Sequence, residues 1–207
     1  GGRRVLKWIA CYGSSRLDTF SESSYKDESP TLSLFDSRAL LENIELKLSR
    51  WHFKSDDSEF KTKYQKVTSI IKELLDLKDI KVDKKTDEVL YIERDRAGKG
   101  YRPLPSKQLA SGYRSIICMI GDMMLRLFET QPGTFDPGDL KGIVIIDELD
   151  LHFHPRWQKR LPGLLSKIFP LIQFIASTHS PIPLLGAPKN SVFLKVNRNE
   201  SKGITIE

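Results

Sequence analysis

Cysteine is nearly missing from these 207 residues: only Cys11 and Cys118 occur, far apart and in no metal-ligand spacing. That excludes a disulfide framework and makes a reducing, cytoplasmic setting the default expectation. No run of about eighteen apolar residues exists, so no membrane-spanning helix is encoded. The opening Gly1-Gly-Arg-Arg has none of the apolar length of a secretory leader; it reads as the interior of a longer polypeptide. Internal repeats and low-complexity tracts are absent, apart from residues 21–30. These are nearly all Ser, Glu, Asp and Lys and are expected to form an exposed loop. Clustered basic charge is lacking too. Lys and Arg outnumber Asp and Glu by 33 to 27, a net charge of +6. They are scattered, so the balance favours a polyanionic partner without marking a nucleic-acid groove.

What remains is the composition of a globular chain, 39% hydrophobic and 29% charged, long enough for one good core with a small appendage. Val5-Leu-Lys-Trp-Ile-Ala10 reads as a strand ending in the polar loop Cys11-Tyr-Gly-Ser-Ser-Arg16. Helical spacing covers residues 40–51 and 59–77. In the second stretch Tyr64, Val67, Ile70, Ile71, Leu74 and Leu75 recur at three and four, the pattern of one buried stripe. Residues 88–93 read as a strand followed by a turn at 95–100, residues 116–128 as an apolar helix, and residues 191–196 as a final strand. Pro155 suits the first turn of a helix, which Pro162 is expected to bend or interrupt. The apolar runs 142–146 and 171–176 flank that helix, which makes a βαβ unit within a mostly parallel sheet.

Ligands of such sheets bind beyond the carboxyl ends of the strands, and Asp147, Glu148, Thr178 and His179 all fall there. Adjacent residues leaving a strand face different ways, so the two acids can take different tasks. Asp147 can reach a magnesium ion through water, and Glu148 can polarise a water toward a phosphoryl group. His179 can hydrogen-bond a phosphate oxygen or hold that water. Two plainer readings compete. The acids can cap a helix, although His152, His154 and Pro155 delay the next helix start. Alternatively Asp147, Glu148, His152, His154 and His179 can gather a metal, although their spacings match no zinc pattern. A second constellation is Leu109-Ala-Ser-Gly-Tyr-Arg-Ser115. A Ser-Gly turn opening a long apolar helix exposes unpaired N–H groups and the positive end of a dipole, which can receive a phosphate; an ordinary capped helix is the plainer alternative.

Taken in order, these stretches resemble the later half of an ABC-type ATP-hydrolysing head of the SMC, RecF and OLD group. Leu109-Ala-Ser-Gly-Tyr-Arg is similar to the signature motif, and Ile143-Val-Ile-Ile-Asp-Glu to the Walker B strand. Leu149-Asp-Leu-His-Phe-His-Pro155 is similar to the D-loop region, and Ser177-Thr-His-Ser-Pro181 to the switch histidine. The loop at 11–16 further resembles a bacterial branch of ATPases, several of which work in anti-phage systems such as Septu or retron-linked defence.

The resemblance implies an α/β, P-loop NTPase-like fold: a mostly parallel sheet flanked by helices, with a small helical lobe. Residues 1–39 would be strand and loop of the head, 40–85 the helical lobe, and 86–207 the lobe carrying signature, Walker B and switch. It implies ATP and magnesium as cofactors, Asp147 at the metal, Glu148 as general base and His179 at the γ-phosphate. Ala110, Ser111, Gly112 and Asp150 would line the seam with a second head closed over ATP. A nuclease or other effector protein and DNA are the further partners implied, with no membrane. Two departures stand out. Position 110 is Ala where the family carries a serine, and no G-x-x-x-x-G-K-S/T occurs, so the phosphate loop is expected elsewhere in a longer polypeptide. The expectation is a piece of an ATPase that hydrolyses nothing alone. The alternative is a head that has lost its nucleotide chemistry and serves as a structural or regulatory module.

Overall fold

A computed structural model of the chain describes residues 8–14, 16, 19, 31–36, 38–151, 153–199 and 203–206; the loop expected at 21–30 and His152 lie outside them. The elements run β1 (Ile9–Tyr12), α1 (Ile44–Phe53), α2 (Ser58–Leu75), β2 (Leu77–Val82), β3 (Val89–Glu93), β4 (Leu104–Pro105), α3 (Ser111–Thr130), β5 (Gly142–Ile146), α4 (Pro155–Ile168), β6 (Ile172–Ala176), β7 (Val196–Asn199) and β8 (Gly203–Ile206).

The expected parallel unit is present, with β1 as a third member. The strand order is β1-β5-β6, with Ile143 opposite Ile9 on one side and Gln173 on the other. An apolar strand with no polar face belongs in the middle of such a sheet, and Val144 and Ile146 of β5 are fully buried. On the β1 side Ala10, Cys11 and Tyr12 are buried as well, whereas Ile175 of β6 is 49% exposed. Helix α4 makes the crossover that parallel neighbours require. It runs unbroken through Pro162, against the interruption allowed for above. Leu161 and Leu165 are buried on its inner side, and such packing supplies most of a helix's stability.

A second sheet, antiparallel β2-β3-β4, stands beside the first. Its strand β2 replaces the expected last turn of α2. Asp76 adopts a left-handed cap (φ 54), which ends the helix at Leu75 and turns the buried Leu77 into the sheet. Aspartate is one of the few residues that visit this conformation, so Asp76 carried the signal. Helix α1 starts at Ile44 because the Asn43 side chain accepts hydrogen bonds from the N–H groups of Glu45 and Leu46. Gly121 lets α3 close on α1: a Cβ there would lie 2.5 Å from Ile44. One hydrophobic cluster runs through β1, α1, α2, α3, both sheets and α4.

The final strand differs from expectation. Residues 191–195 form no strand, and their alternating Val192 and Leu194 stay exposed. Pairing begins at Val196, opposite Ile206 of β8. The β-branched Ile204-Thr-Ile206 was the signal for this hairpin. Among the described residues no helix is long and apolar enough to cross a membrane.

Candidate functional site

At the carboxyl end of β5 the backbone changes direction between the two acids. Asp147 is still in the sheet, its N–H donating to the Tyr12 carbonyl at 2.8 Å. Glu148 takes φ 52, a left-handed conformation that costs a non-glycine residue about 1–3 kcal/mol. Leu149 then turns into the core, its N–H donating to the Ser177 carbonyl at 2.9 Å.

The exit of β6 answers this turn residue by residue. The Ser177 hydroxyl donates to Asp147 Oδ1 at 2.5 Å and accepts from the Glu148 N–H at 2.8 Å. The Thr178 hydroxyl donates to Asp150 Oδ1 at 2.5 Å, and the same oxygen accepts from the His179 N–H at 3.3 Å. His179 Nε2 lies 4.0 Å from Glu148 Oε1, with the imidazole 87% exposed and the glutamate side chain 35% exposed. Three consecutive residues thus meet three different acids. The start of α4 is tied in as well: Ser180 donates to Gln158 Oε1 at 2.9 Å, and Gln158 Nε2 donates to the carbonyls of Asp150 and Phe153.

Below the turn lies a residue to which the sequence reading gave no role. Arg16 is 1% exposed, and its Nη2 donates to the carbonyls of both Asp147 (2.5 Å) and Glu148 (2.6 Å). Nε donates to the Gly13 carbonyl at 2.7 Å, and Nη1 meets Met119 Sδ at 3.7 Å. Burial lowers its pKa, while the charges of Asp147, Glu148 and Asp150 push it back up. A lone arginine closing the polar loop 11–16 was the available clue. Nearby, the Tyr12 hydroxyl donates to the fully buried Asp122 at 2.7 Å, and Asp122 also accepts from the Glu42 N–H and Arg126 Nε. Burial, then Asp122, pushes the Tyr12 phenol well above its ordinary pKa. This network joins β1 to α3.

The signature stretch opens α3, and its Tyr113 packs edge-on against Trp157 in the first turn of α4, ring centroids 5.9 Å apart. Ala110 caps α3 without any side-chain hydrogen bond, and Ser111 is exposed. The first intrahelical bond runs from the Arg114 N–H to the Ala110 carbonyl, which leaves the N–H groups of Ser111, Gly112 and Tyr113 free of intrahelical partners. Met119, where Arg16 touches α3, sits eight residues further on, about 12 Å along the axis. Asp147, Glu148, Asp150 and His179 are therefore gathered at one lip. Ala110, Ser111 and Gly112 share no hydrogen bond with them among the described residues. The capping alternative falls, because α4 is capped by His154, whose Nδ1 accepts from the Arg156 N–H. Among the described residues no group of three or more His, Cys, Asp and Glu is placed to hold a metal.

Residues 4–182 match the AAA_21 family model, described as "AAA domain, putative AbiEii toxin, Type IV TA system". The chain belongs to this family. It is 33% identical over 132 residues to the retron Vc95 probable ATPase of Vibrio cholerae, covering 63% of this chain and 25% of that protein. It is 38% identical over 120 residues to the Septu protein PtuA of Bacillus mycoides, covering 55% and 16%. The chain thus spans a quarter or less of the length of these curated relatives. A solved structure from work on ATP-driven dimerization and DNA-stimulated activation of SMC ATPases is similar at 12% identity and a TM-score of 0.49, covering 77% of this chain and 88% of that chain.

An AAA-family site implies nucleotide, ordinarily with magnesium, and the residues at the lip fit the metal-and-water side of such a site. Asp147 is exposed and engages Ser177 through Oδ1, so Oδ2 remains a hard oxygen donor suited to magnesium or its waters. Glu148 Oε1 and His179 Nε2 approach to 4.0 Å, and the imidazole is open to solvent. The glycine-rich grip on the phosphates is not among these 207 residues.

Proposed function

We propose that this chain is the hydrolytic side of an ATP-driven head that closes on a second head and licenses an effector, in defence against phage or in DNA metabolism. The observation that carries the reading is the 4.0 Å approach of His179 to Glu148 beside Asp147, on a turn held from both sides. Bound ATP and magnesium would supply the phosphoryl group and offset its charge. Within the chain, Asp147 would bind the metal or its waters, Glu148 would take a proton from water at its carboxylate, and His179 would hold that water or a phosphate oxygen.

The N–H groups of Ser111 and Gly112, without intrahelical partners at an exposed helix start, support the two-head arrangement. They suit the phosphate of an opposing head, with Ala110 and Asp150 at the same seam. The retron and Septu relatives support a defence setting with a nuclease or other effector as partner. The scattered positive charge is compatible with DNA. The uncapped Ala110 is the feature that favours a regulatory module without nucleotide chemistry.

Steady-state ATP turnover of the full natural polypeptide decides between the two. Glu148→Gln should lower kcat by about 100-fold or more while calorimetric nucleotide binding persists. Equal rates for wild type and variant would remove Glu148 as base, and absence of nucleotide binding in the wild type would establish the regulatory reading instead.

A further inference from the structure

Arg16 is a cation buried without a carboxylate in hydrogen-bond contact among the described residues. Its donors end on peptide carbonyls and a thioether: Gly13, Asp147, Glu148 and Met119. Burying a charge this way is costly unless the groups it satisfies would otherwise be worse off. They would be. The carbonyls of Asp147 and Glu148 flank the one left-handed residue of the turn, and no other described group donates to either of them except the Leu151 N–H to Glu148. From the front, Ser177 holds the Asp147 carboxylate and the Glu148 N–H. From behind, one guanidinium nitrogen holds both carbonyls. The left-handed backbone at Glu148 is thereby over-determined, as such a conformation must be to persist.

We propose that Arg16 is a positioning residue: by bridging the Asp147 and Glu148 carbonyls it fixes the backbone that presents the Glu148 carboxylate beside His179. The proposal rests on the hydrolytic reading of Glu148. Because Arg16 is sealed under the turn, it acts through Glu148 and not on nucleotide directly. Met119 gives it a further consequence: the brace abuts the middle of the same helix α3 whose start carries Ser111 and Gly112, so the turn and that helix meet at one side chain.

The test uses the full natural polypeptide with Arg16→Lys and Arg16→Gln, neither of which reproduces a planar fork. Each should lower kcat for ATP by about 10-fold or more, with KM within about 3-fold of wild type, since small misplacements at the reacting centre are expensive in rate. Introduced into Glu148→Gln, either substitution should change the residual rate by less than about 2-fold, because its effect passes through the missing carboxylate. Amide hydrogen exchange of residues 145–151 should quicken by about 10-fold or more, while α2 exchanges as before.

An unchanged kcat, equal changes in kcat and KM, or a full additional loss in the Glu148→Gln background would overturn the role. Failure of both variants to accumulate as folded protein would count against a role confined to the turn. If the wild type turns over no ATP, the hydrolytic reading falls separately. The exchange measurement then decides the brace on its own: unchanged exchange at 145–151 removes it, and faster exchange there upholds it.

Discussion

The Asp147–Asp150 turn and the Ala110–Gly112 helix start are both exposed polar ends of apolar elements, yet they are built in opposite ways. Around the turn every acid has a protein partner: Ser177 for Asp147, Thr178 for Asp150, His179 opposite Glu148. The backbone is held by Arg16, Tyr12 and Ser177. The helix start has a cap residue with no side-chain oxygen, and its first three N–H groups have no intrahelical partner. Beside it Ser106 donates to Glu45 at 2.9 Å, and Tyr113 packs edge-on against Trp157. A preorganised end is what proton transfer requires, because misplacement there is penalised steeply. An unsatisfied end is what a surface awaiting an anion requires. The contrast supports the proposal that hydrolysis falls to the turn and closure to the helix start, with α3 and the Tyr12–Asp122 pair as the connection.

The sharpest way to break this comparison is to damage each end in a different protomer. Glu148→Gln and Gly112→Asp should each lower turnover in the full polypeptide by about 100-fold or more. Mixed in equal amounts they should recover roughly a quarter of wild-type activity, since half of randomly formed pairs are mixed and each keeps one intact site. No recovery would put both ends in the same site. Next in size, Ser177→Ala removes a donor to Asp147 and an acceptor for Glu148. It should lower kcat by about 10-fold with little effect on dimer formation by light scattering; a loss of dimer alone would reverse the assignment.

Ala110→Ser would give the bare end a cap. It should stabilise the protein by about 1 kcal/mol, a rise of roughly 2–4 °C in melting temperature for a domain of this size, and no rise would mean that the first N–H groups already have partners. The smallest effect concerns Glu45. Burial raises its pKa above the ordinary 4.5 despite the Ser106 hydrogen bond, so the folded state holds the proton more tightly than the unfolded state. Its stabilising contribution is complete below pH 4.5 and is lost as pH rises through the raised value. Glu45→Gln should therefore melt higher than wild type at pH 7 and nearly level with it at pH 4; a gap equal at both would exclude ionisation as the cause.

Much of this was legible in the residues themselves. A strand with no polar face had to lie inside a parallel sheet, and the acids and histidine that follow such strands had to share its carboxyl edge, because local periodicity sets both. Asp76 and the hairpin after Val196 were readable in principle, but helical spacing hid the first and the apolar alternation of 191–195 hid the second. Arg16 was not readable as a brace. Its partners are carbonyls more than a hundred positions away, and carbonyls carry no side-chain identity.

Sequence alone thus determined which groups reach the lip: Asp147, Glu148, Thr178 and His179 follow from strand ends and chain order. Tertiary structure alone decided how they are held, that Glu148 stands in a left-handed turn, that Ser177 and Thr178 each take one acid, and that Arg16 closes the turn from beneath. The physical reason is range. Periodicity and capping act over a few residues, whereas satisfying a buried cation and the polar backbone of a tight turn depends on groups brought together only when the core closes.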